Sequence, residues 1–423
     1  MSLNIALLVL LLLLISLGLV VQTAQLIYNY RSIVATMRSI EAALLRAGQN
    51  DSRSIALIPC KVAASSRDEV LYTINSLRRS RDLGYIDHGI IVIERDDVEP
   101  LKRMDISRDD NIEVLISKTD ECTECSGKNR ALITGLKSID RNASGREVIV
   151  MLDCDAYHHP RSIFYASKAS SVLDAIVTGY RWYLLRDLYS VLYNTVSSIA
   201  FEYMGINITR IVWGGLTAMP LSAVKSLGLE EKFREELSDD AVINREARKN
   251  GYRIVFCSKC ISLTPAQKGF RSFYRWAVRQ MIIVRLYTPL GFKILMLIYA
   301  INTLILLLPV ILILIGTPLE ILVPLAVLIL GYILIGAVRA FISLRNYSPG
   351  SIYQDPEIER DKKLWKYIYI VISSLRAPLI LSILIAARIS RRFVWRGVEY
   401  CIVDKGSRAV PCSMSTRSYQ PPA

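Results

Sequence analysis

Two aspartates one residue apart follow a short apolar segment in the middle of the chain. Residues 148–152 are all apolar, which predicts a strand buried on both faces, and Asp153 and Asp155 come directly after it. At a strand end, residues i and i+2 point to the same side, and open α/β sheets bind ligands at the carboxyl ends of their strands. Two such carboxylates can hold a hard cation, Mg²⁺ or Mn²⁺, whose other ligands would be phosphate oxygens and water. The pattern indicates a site for a nucleotide diphosphate; a polar turn after a strand is the alternative.

A second acidic pair, Asp239 and Asp240, begins a predicted helix over residues 237–250. The helix dipole stabilises a carboxylate at this position, so we expect the pair to stay ionised. An ionised carboxylate can act as a general base on a hydroxyl group. The alternative interpretation is an ordinary acidic first turn.

Three smaller features could belong to the same site. Gly214 and Gly215 would let the backbone approach a substrate closely, although a simple turn is the default. Lys128, at a predicted helix start, would place a cation near phosphates, but the glycine spacing of a Walker loop is absent. His158 and His159 follow the strand end and could touch the metal, or be plain loop residues.

The eight cysteines include two CxxC pairs, Cys122 with Cys125 and Cys257 with Cys260. The interval between the pairs is far longer than in ordinary zinc sites. Disulfides would suit an intracellular domain of a hyperthermophile, and reduced thiols are the third possibility. The sequence leaves these three states open.

Strand and helix patterns alternate over residues 50–268, which predicts an α/β domain with a mostly parallel sheet. The predicted strands are 54–59, 89–93, 112–116, 148–152, 175–178, 217–219 and 253–257, and the predicted helices are 67–79, 128–138 and 237–250.

Composition points to a membrane-tethered enzyme. The 423 residues are 52% hydrophobic with a net charge of +14, too apolar for an ordinary soluble enzyme and too charged for a pure membrane bundle. Length allows one soluble domain of roughly 250 residues plus membrane segments. The positive charge could face lipid headgroups or a phosphorylated substrate. No basic run with interleaved aromatic residues is present, so we expect no nucleic-acid partner.

The first apolar run, residues 3–28, predicts a transmembrane anchor of about 22 residues rather than a signal peptide. Arg31 and Arg38 follow it, so we expect the next domain to be cytoplasmic. A separate helix is predicted from residue 29 to near Gly48.

The second half of the chain carries further membrane signals. Residues 269–290 predict an amphipathic helix in the membrane interface, with a surface helix as the alternative. Residues 293–315 and 319–344 predict two spans, whereas 364–387, interrupted by Arg376 and Pro378, either spans or dips into the membrane. Residues 388–423 form a basic tail.

In order and spacing, these motifs resemble the membrane-bound family 2 glycosyltransferases, near their ceramide glucosyltransferase-like and cellulose synthase-like members. The resemblance covers residues 55–290 and implies a GT-A, Rossmann-like α/β domain. It reaches the tail, where Trp395-Arg396-Gly397 through Gly406 is similar to that of ceramide-type enzymes. Asp153-Cys154-Asp155 matches the DxD motif, which implies metal and diphosphate binding. Ser238-Asp239-Asp240 matches the acidic pair that makes Asp240 the catalytic base.

The resemblance also implies contacts with the two substrates. The nucleotide loop Ile58-Pro59-Cys60-Lys61, the acidic position Glu94 (usually an aspartate) and the Lys128 helix would bind the donor. The segment beginning at Trp213 would bring Gly214, Gly215 and Asp239 to the acceptor.

The family's (Q/R)xxRW motif is present as Ser272-Phe273-Tyr274-Arg275-Trp276, with serine at its first position. By resemblance, Arg275 would face the donor pyrophosphate and Trp276 would floor the acceptor pocket. The serine departs from the chain-extending synthases.

The resemblance implies an inverting transfer of one hexose from a nucleotide-diphosphate sugar to a membrane lipid or lipid-linked acceptor at the cell membrane. Similarity to archaeal mannosyltransferases of N-glycan biosynthesis favours GDP-mannose and a dolichyl-type acceptor. A processive polysaccharide synthase is one alternative, for which the apolar segments are few. A transporter or non-catalytic scaffold is another, although the strong spans carry only Arg339 as a charge.

Overall fold

The computed structural model describes residues 2–47, 52–62, 67–102, 112–118, 121–122, 124–140, 145–349, 360–403 and 408–415. Gly48, Gly406 and part of the tail, 416–423, lie outside these residues. The chain forms two compact units. A sheet unit comprises 33–183, 206–265 and 391–423, and a helical unit comprises 1–32, 184–205 and 266–390.

The sheet unit contains an eight-stranded, mostly parallel sheet, which confirms the predicted α/β class. Its strands are β1 Ser54–Cys60, β2 His88–Ile93, β3 Ile112–Ile116, β4 Val148–Leu152, β5 Tyr157–His158, β6 Ile176–Tyr183, β7 Leu216–Pro220 and β8 Ile254–Thr264. They lie in the order β3-β2-β1-β4-β7-β6-β8-β5. The first four are parallel, as are β6 and β8, while β7 and β5 run antiparallel to their neighbours.

Helices cover both faces of this sheet. One layer contains α2 Arg67–Asp82 and α5 Pro160–Leu173, and the other contains α4 Gly127–Asp140 and α9 Asp239–Lys249. Alternate β4 residues therefore pack into opposite cores. Burial on both faces explains why β4 is apolar throughout and places its polar continuation at the sheet edge.

The remaining helices of the sheet unit are short: α3 Val98–Lys102, α7 Leu221–Ser226, α8 Leu229–Lys232 and, near the end of the chain, Cys412–Ser415.

Three features of the sheet unit were not predicted. The short β5 and the helix α5 follow the paired aspartates directly. β6 and β8 continue well beyond their predicted ends, because their bulged pairing resumes from Tyr180–Ile261 to Tyr183–Thr264. The basic tail forms an antiparallel sheet of β9 Arg392–Trp395, β10 Val398–Val403 and β11 Arg408–Pro411, in the order β11-β10-β9.

The helical unit provides the membrane signals. Among the described residues, three helices are long and apolar enough to cross a membrane: Leu12–Arg46, of which residues 12–32 belong to this unit, Pro289–Leu314 and Leu319–Tyr347. The first lies within α1 Ser2–Ala47, so the two helices predicted there form one. The segment near 364–387 consists of Lys363–Ser374 and Ala377–Ile389, which meet at 67°, as in a broken span or a re-entrant loop. The helix Ala377–Ile389 has a proline in its first turn, where the missing backbone N–H is tolerated.

The helical unit also contains α6 Leu188–Met204 and the amphipathic helix α10 Phe270–Tyr287. The buried α10 residues, Phe273, Ala277, Met281 and Ile282, share one face. This matches the amphipathic helix predicted over 269–290.

A buried charge cluster joins several helices of this unit. Arg376, at the bend, donates to Glu202 of α6 and, over 2.6 Å, to Ser198. Arg339 approaches the other Glu202 oxygen at 3.5 Å. Both Arg376 and Glu202 are less than a tenth exposed, so their charges depend on each other.

Candidate functional site

A small cavity lies at the carboxyl ends of β1 and β4, where the sequence predicted the site. It is lined by Pro59, Lys128, Met151, Leu152, Asp153, Gly215, Thr217, Asp239 and Asp240. Six of these nine residues are predicted site residues from five separate segments. The parallel arrangement of β1 and β4 brings the segments together.

The paired aspartates converge on one point. A single nitrogen of Arg181, Nη2, contacts Asp153 Oδ2 and lies 3.1 Å from Asp155 Oδ1. Lys128 Nζ is 2.8 Å from the other Asp153 oxygen, and Arg396 Nη2 is 2.6 Å from the other Asp155 oxygen. Burial opposes ionisation, but these cations hold the pKa of both carboxyl groups below the usual value.

Lys128 connects the two acidic pairs. Its ammonium group lies 2.8 Å from Asp153 Oδ1 and 2.8 Å from Asp239 Oδ2. Burial alone would lower the pKa of Lys128, but Asp153, Asp239 and Asp240 raise it well above the usual value. Lys128 is therefore a permanent cation between the carboxylates.

The second acidic pair starts α9, as the sequence predicted. Ser238 caps this helix by accepting a hydrogen bond from the Ala241 N–H at 3.4 Å. The helix position predicted that both carboxylates stay ionised, but the surroundings of Asp240 oppose its ionisation. Burial and the neighbouring charge of Asp239 raise the Asp240 pKa well above its usual value. In the described part of the chain Asp240 has no ion-pair partner, so the helix dipole does not outweigh desolvation.

Gly214 and Gly215 are required by close packing in addition to the turn. Both have positive φ, at 115° and 73°. A Cβ on Gly215 would lie 2.7 Å from the Arg181 guanidinium and 2.7 Å from the Asp153 carboxylate. The Gly215 carbonyl also accepts a hydrogen bond from the Asp153 N–H at 2.8 Å. Gly215 thus allows the backbone to support the paired aspartates.

Lys61 and Glu94 form a neighbouring ion pair and are not among the described residues that line the cavity. Asp97 lies 3.7 Å from the Lys61 ammonium and Arg130 lies 4.0 Å from Glu94. Their predicted donor contacts remain predictions.

Arg275 and Trp276 lie on α10 in the helical unit. The Trp276 ring packs on Tyr193, with ring centroids 4.6 Å apart. Their predicted roles toward pyrophosphate and acceptor remain predictions.

His158 and His159 have structural partners. The His158 ring contacts the Asp153 carbonyl at 2.9 Å and the Ser262 hydroxyl at 3.1 Å. Burial lowers the His158 pKa to about 4, so the ring is neutral at physiological pH. His159 caps α5 by accepting from the Arg161 N–H. His158 lies in β5 rather than in the predicted loop.

The model of glycosyl transferase family 21 matches residues 197–408, half of the chain. The chain belongs to glycosyl transferase family 21. Family membership makes it a transferase that uses a nucleotide-sugar donor and an acceptor, and confirms the predicted class of membrane glycosyltransferase. The matched region includes Asp240 and Arg396.

No curated protein matches the chain significantly. Among 107 matching chains of solved structures, 4-diphosphocytidyl-2C-methyl-D-erythritol synthase from Anaerococcus prevotii is 12% identical, with a TM-score of 0.34, covering 53% of this chain and 96% of its own. Inositol-1-phosphate CTP transferase from T. maritima is 10% identical, with a TM-score of 0.33, covering 53% and 95%. Likeness at this level supports no functional inference.

The chemistry of the paired aspartates in this family 21 enzyme fits a hard divalent cation. Both present carboxylate oxygens, and both already contact one cationic nitrogen of Arg181. Among the described residues, no group of three or more His, Cys, Asp or Glu side chains could hold a metal. Magnesium is commonly held by one or two carboxylates and substrate phosphates, so Asp153 and Asp155 suffice.

Two cations of the site were not predicted. Arg181 is the only charged residue in the otherwise apolar β6, and a lone charge in a buried strand is a usable signal. Arg396 precedes Gly397 between two alternating strands, which is a hairpin signal. Nothing local shows that either side chain reaches the aspartates.

All eight cysteines are paired as disulfides in the structure, which corresponds to one of the three states that the sequence left open for the CxxC pairs. Cys122 pairs with Cys125, and Cys257 with Cys260. The other two bridges are Cys60–Cys154 and Cys401–Cys412. The Cys60–Cys154 bridge joins the ends of β1 and β4 between the paired aspartates, and no spacing rule predicts it.

Proposed function

We propose that this family 21 enzyme is an inverting, metal-dependent glycosyltransferase that transfers one hexose to a membrane lipid or lipid-linked acceptor. The supporting observation is that Asp153, Lys128 and Asp240 line one cavity. The proposed metal-binding carboxylate of Asp153, the ammonium group of Lys128 and the proposed base Asp240 thus lie around one small cavity. The resemblance to archaeal mannosyltransferases favours mannose, GDP-mannose and a dolichyl-type acceptor.

Asp240 is the proposed base. Asp153 and Asp239 both pair with Lys128, so Asp240 is the cavity carboxylate left to accept a proton. Its raised pKa brings its proton affinity closer to that of a general base working near neutral pH. With no carboxylate assigned as nucleophile, the acceptor hydroxyl attacks the anomeric carbon directly, and the configuration inverts.

Asp153 and Asp155 would hold Mg²⁺ or Mn²⁺. When bound, the metal neutralises charge on the departing nucleotide diphosphate. Lys128 and Arg181 keep the two aspartates ionised and oriented for this role. Lys61 and Glu94 would contact the nucleoside, close to Pro59.

The acceptor side of the proposal rests on the membrane signals. Three helices could cross a membrane, and α10 is amphipathic. An acceptor hydroxyl at headgroup level would meet the enzyme there, with Trp276 against the acceptor. Arg31 and Arg38, which follow the apolar run 3–28 within α1, favour a cytoplasmic sheet unit for a protein of the cell membrane.

The test is a donor screen on the purified full chain in detergent with Mn²⁺ or Mg²⁺. UDP-glucose, UDP-N-acetylglucosamine and GDP-mannose are titrated while the thermal unfolding midpoint is followed, because a ligand of the folded state raises it. We expect a metal-dependent shift with GDP-mannose that Asp155→Ala loses. If the shift in the unfolding midpoint is the same in excess EDTA, donor binding does not require a metal, and this part of the proposal is wrong.

Products are then analysed with a polyprenyl phosphate acceptor. A single added mannose with inverted anomeric configuration supports the proposal. A ladder of longer products would instead indicate a processive synthase, and no shift with any donor would contradict the proposed activity.

A further inference from the structure

The tail hairpin holds an arginine in an unfavourable backbone conformation. Arg396 and Gly397 form the turn between β9 and β10, with φ of 50° and 81°. Two-residue hairpin turns with positive φ favour Asn-Gly or Gly-Gly, since the left-handed region is unfavourable for other residues. Within the described residues, Asp174 is the only other non-glycine residue with positive φ. The strain at Arg396 indicates that its side chain has a function.

The Arg396 guanidinium lies in the candidate site. Its Nη2 is 2.6 Å from Asp155 Oδ2, and both side chains are only about a third to a quarter exposed, 31% and 24%. Together with Lys128 and Arg181, Arg396 gives the paired aspartates three surrounding cations. Because Lys128 also pairs with Asp239, three cations face three carboxylates, and a nucleotide diphosphate bound there would compete with these carboxylates for the cations.

The tail sheet is held firmly enough to present this side chain. The Cys401–Cys412 disulfide closes the end of the sheet, and the rings of Phe393 and Tyr400 stack at 5.5 Å. Arg408 of β11 pairs with Glu124, just before α4, which attaches the sheet at a second point. These contacts stabilise the tail sheet and thereby the position of Arg396.

We infer that Arg396 is a ligand of the donor diphosphate, contributed by the C-terminal sheet and paired with Asp155 until the donor binds. This inference rests on the proposed function of the same site. Guanidinium groups form strong, directional hydrogen bonds with phosphate oxygens. Arg396 would give up the Asp155 oxygen if Asp153 and Asp155 held a divalent cation, and its guanidinium would then lie next to the diphosphate.

The test compares Arg396→Asn with Arg392→Asn in the full chain in detergent. Asparagine tolerates the left-handed turn, so folding is preserved, and Arg392→Asn removes an exposed cation from β9 of the same sheet. Mn²⁺ affinity is measured by electron paramagnetic resonance. Affinities for GDP and UDP are measured by calorimetry at saturating Mn²⁺.

For Arg396→Asn we expect Mn²⁺ affinity to stay level or rise, and affinity for the diphosphate that the wild type binds to fall about 10- to 100-fold. Arg392→Asn should change neither affinity. If Arg396→Asn binds both Mn²⁺ and diphosphate more tightly, Arg396 only occupies the Asp155 oxygen and does not bind the donor. If it binds both more weakly, Arg396 has a structural role. Each of these two results overturns the inference about Arg396 but leaves the proposed function standing, and so does unchanged diphosphate binding in Arg396→Asn. A wild-type protein that binds neither GDP nor UDP would instead contradict the proposed function.

Discussion

The ammonium group of Lys128 lies 2.8 Å from the Asp239 carboxylate. Because it also contacts Asp153, one side chain at the start of α4 compensates carboxylates from two other segments. The candidate site is therefore a coupled charge network, and its variants should affect stability as well as activity.

Lys128→Met should destabilise the protein by about 2–4 kcal/mol at pH 8, because buried carboxylates lose their shared cation. The loss should be smaller at pH 3. In the wild type the Asp153 pKa is lowered, so the stability that its ionised form contributes is complete above its unfolded pKa of about 4 and is lost as pH falls through the folded value; in the variant, protonation relieves the unpaired charges. Thermal unfolding at both pH values measures this.

Lys137→Met is the matched control for Lys128→Met. Lys137 pairs with Glu121 outside the cavity and is more exposed, so its loss should be worth less than about 1 kcal/mol. Equal losses of stability from the two substitutions would mean that the ion pairs of Lys128 contribute no more than an ordinary surface ion pair.

Asp240→Asn should lower the rate of sugar transfer by about 10²–10⁴-fold while raising the stability of the protein at pH 8. The folded-state pKa of Asp240 is raised, so the wild type loses stability as pH rises from its unfolded value of about 4 through the folded value. The stability gain should vanish near pH 4. Turnover and unfolding midpoints across pH measure both effects.

Wild-type turnover should likewise fall as pH drops through the raised Asp240 pKa, since the protonated base cannot accept a proton. Asp174→Asn, at an exposed helix end, is the control and should change neither property. Full activity of Asp240→Asn would exclude Asp240 as the base.

Gly215→Ala should weaken metal-dependent donor binding at least about tenfold and destabilise the protein by about 1–3 kcal/mol. The new Cβ would press on Arg181 and Asp153 in a backbone region unfavourable for alanine. Calorimetry with Mn²⁺ and the bound nucleotide gives the affinity.

Gly251→Ala separates backbone strain from crowding. Gly251 has φ of 71°, close to that of Gly215, but open space around its Cβ position. Gly251→Ala should therefore lose stability without losing donor affinity. Similar affinity losses in both variants would show that strain alone explains the Gly215 effect.

Glu202→Gln should destabilise the helical unit by about 3–5 kcal/mol, because it leaves the buried charges of Arg376 and Arg339 uncompensated. Glu320→Gln, exposed at the start of the apolar helix Leu319–Tyr347, should have little effect. The double variant Glu202→Gln/Arg376→Gln should recover part of the loss. Unfolding in detergent measures all three, and additive losses would argue against a coupled pair.

Most of the strand and helix framework and the approximate place of the site could be predicted from the amino-acid sequence. The observed β3 and β4 have the predicted bounds, and Asp153, Lys128 and Asp240 share a cavity, because periodicity reports burial and parallel strands end at one edge. Motif order predicted the class of membrane glycosyltransferase, although it pointed to family 2 and the chain belongs to family 21.

The tertiary structure alone decided the electrostatics of the site. Arg181 and Arg396 reach the paired aspartates from β6 and from the tail, and burial beside Asp239 raises the pKa of Asp240 against the expectation from its helix position. Neither effect is local in sequence. Coulomb interactions and desolvation depend on distances between segments far apart in the chain, and those distances exist only once the sheet has formed.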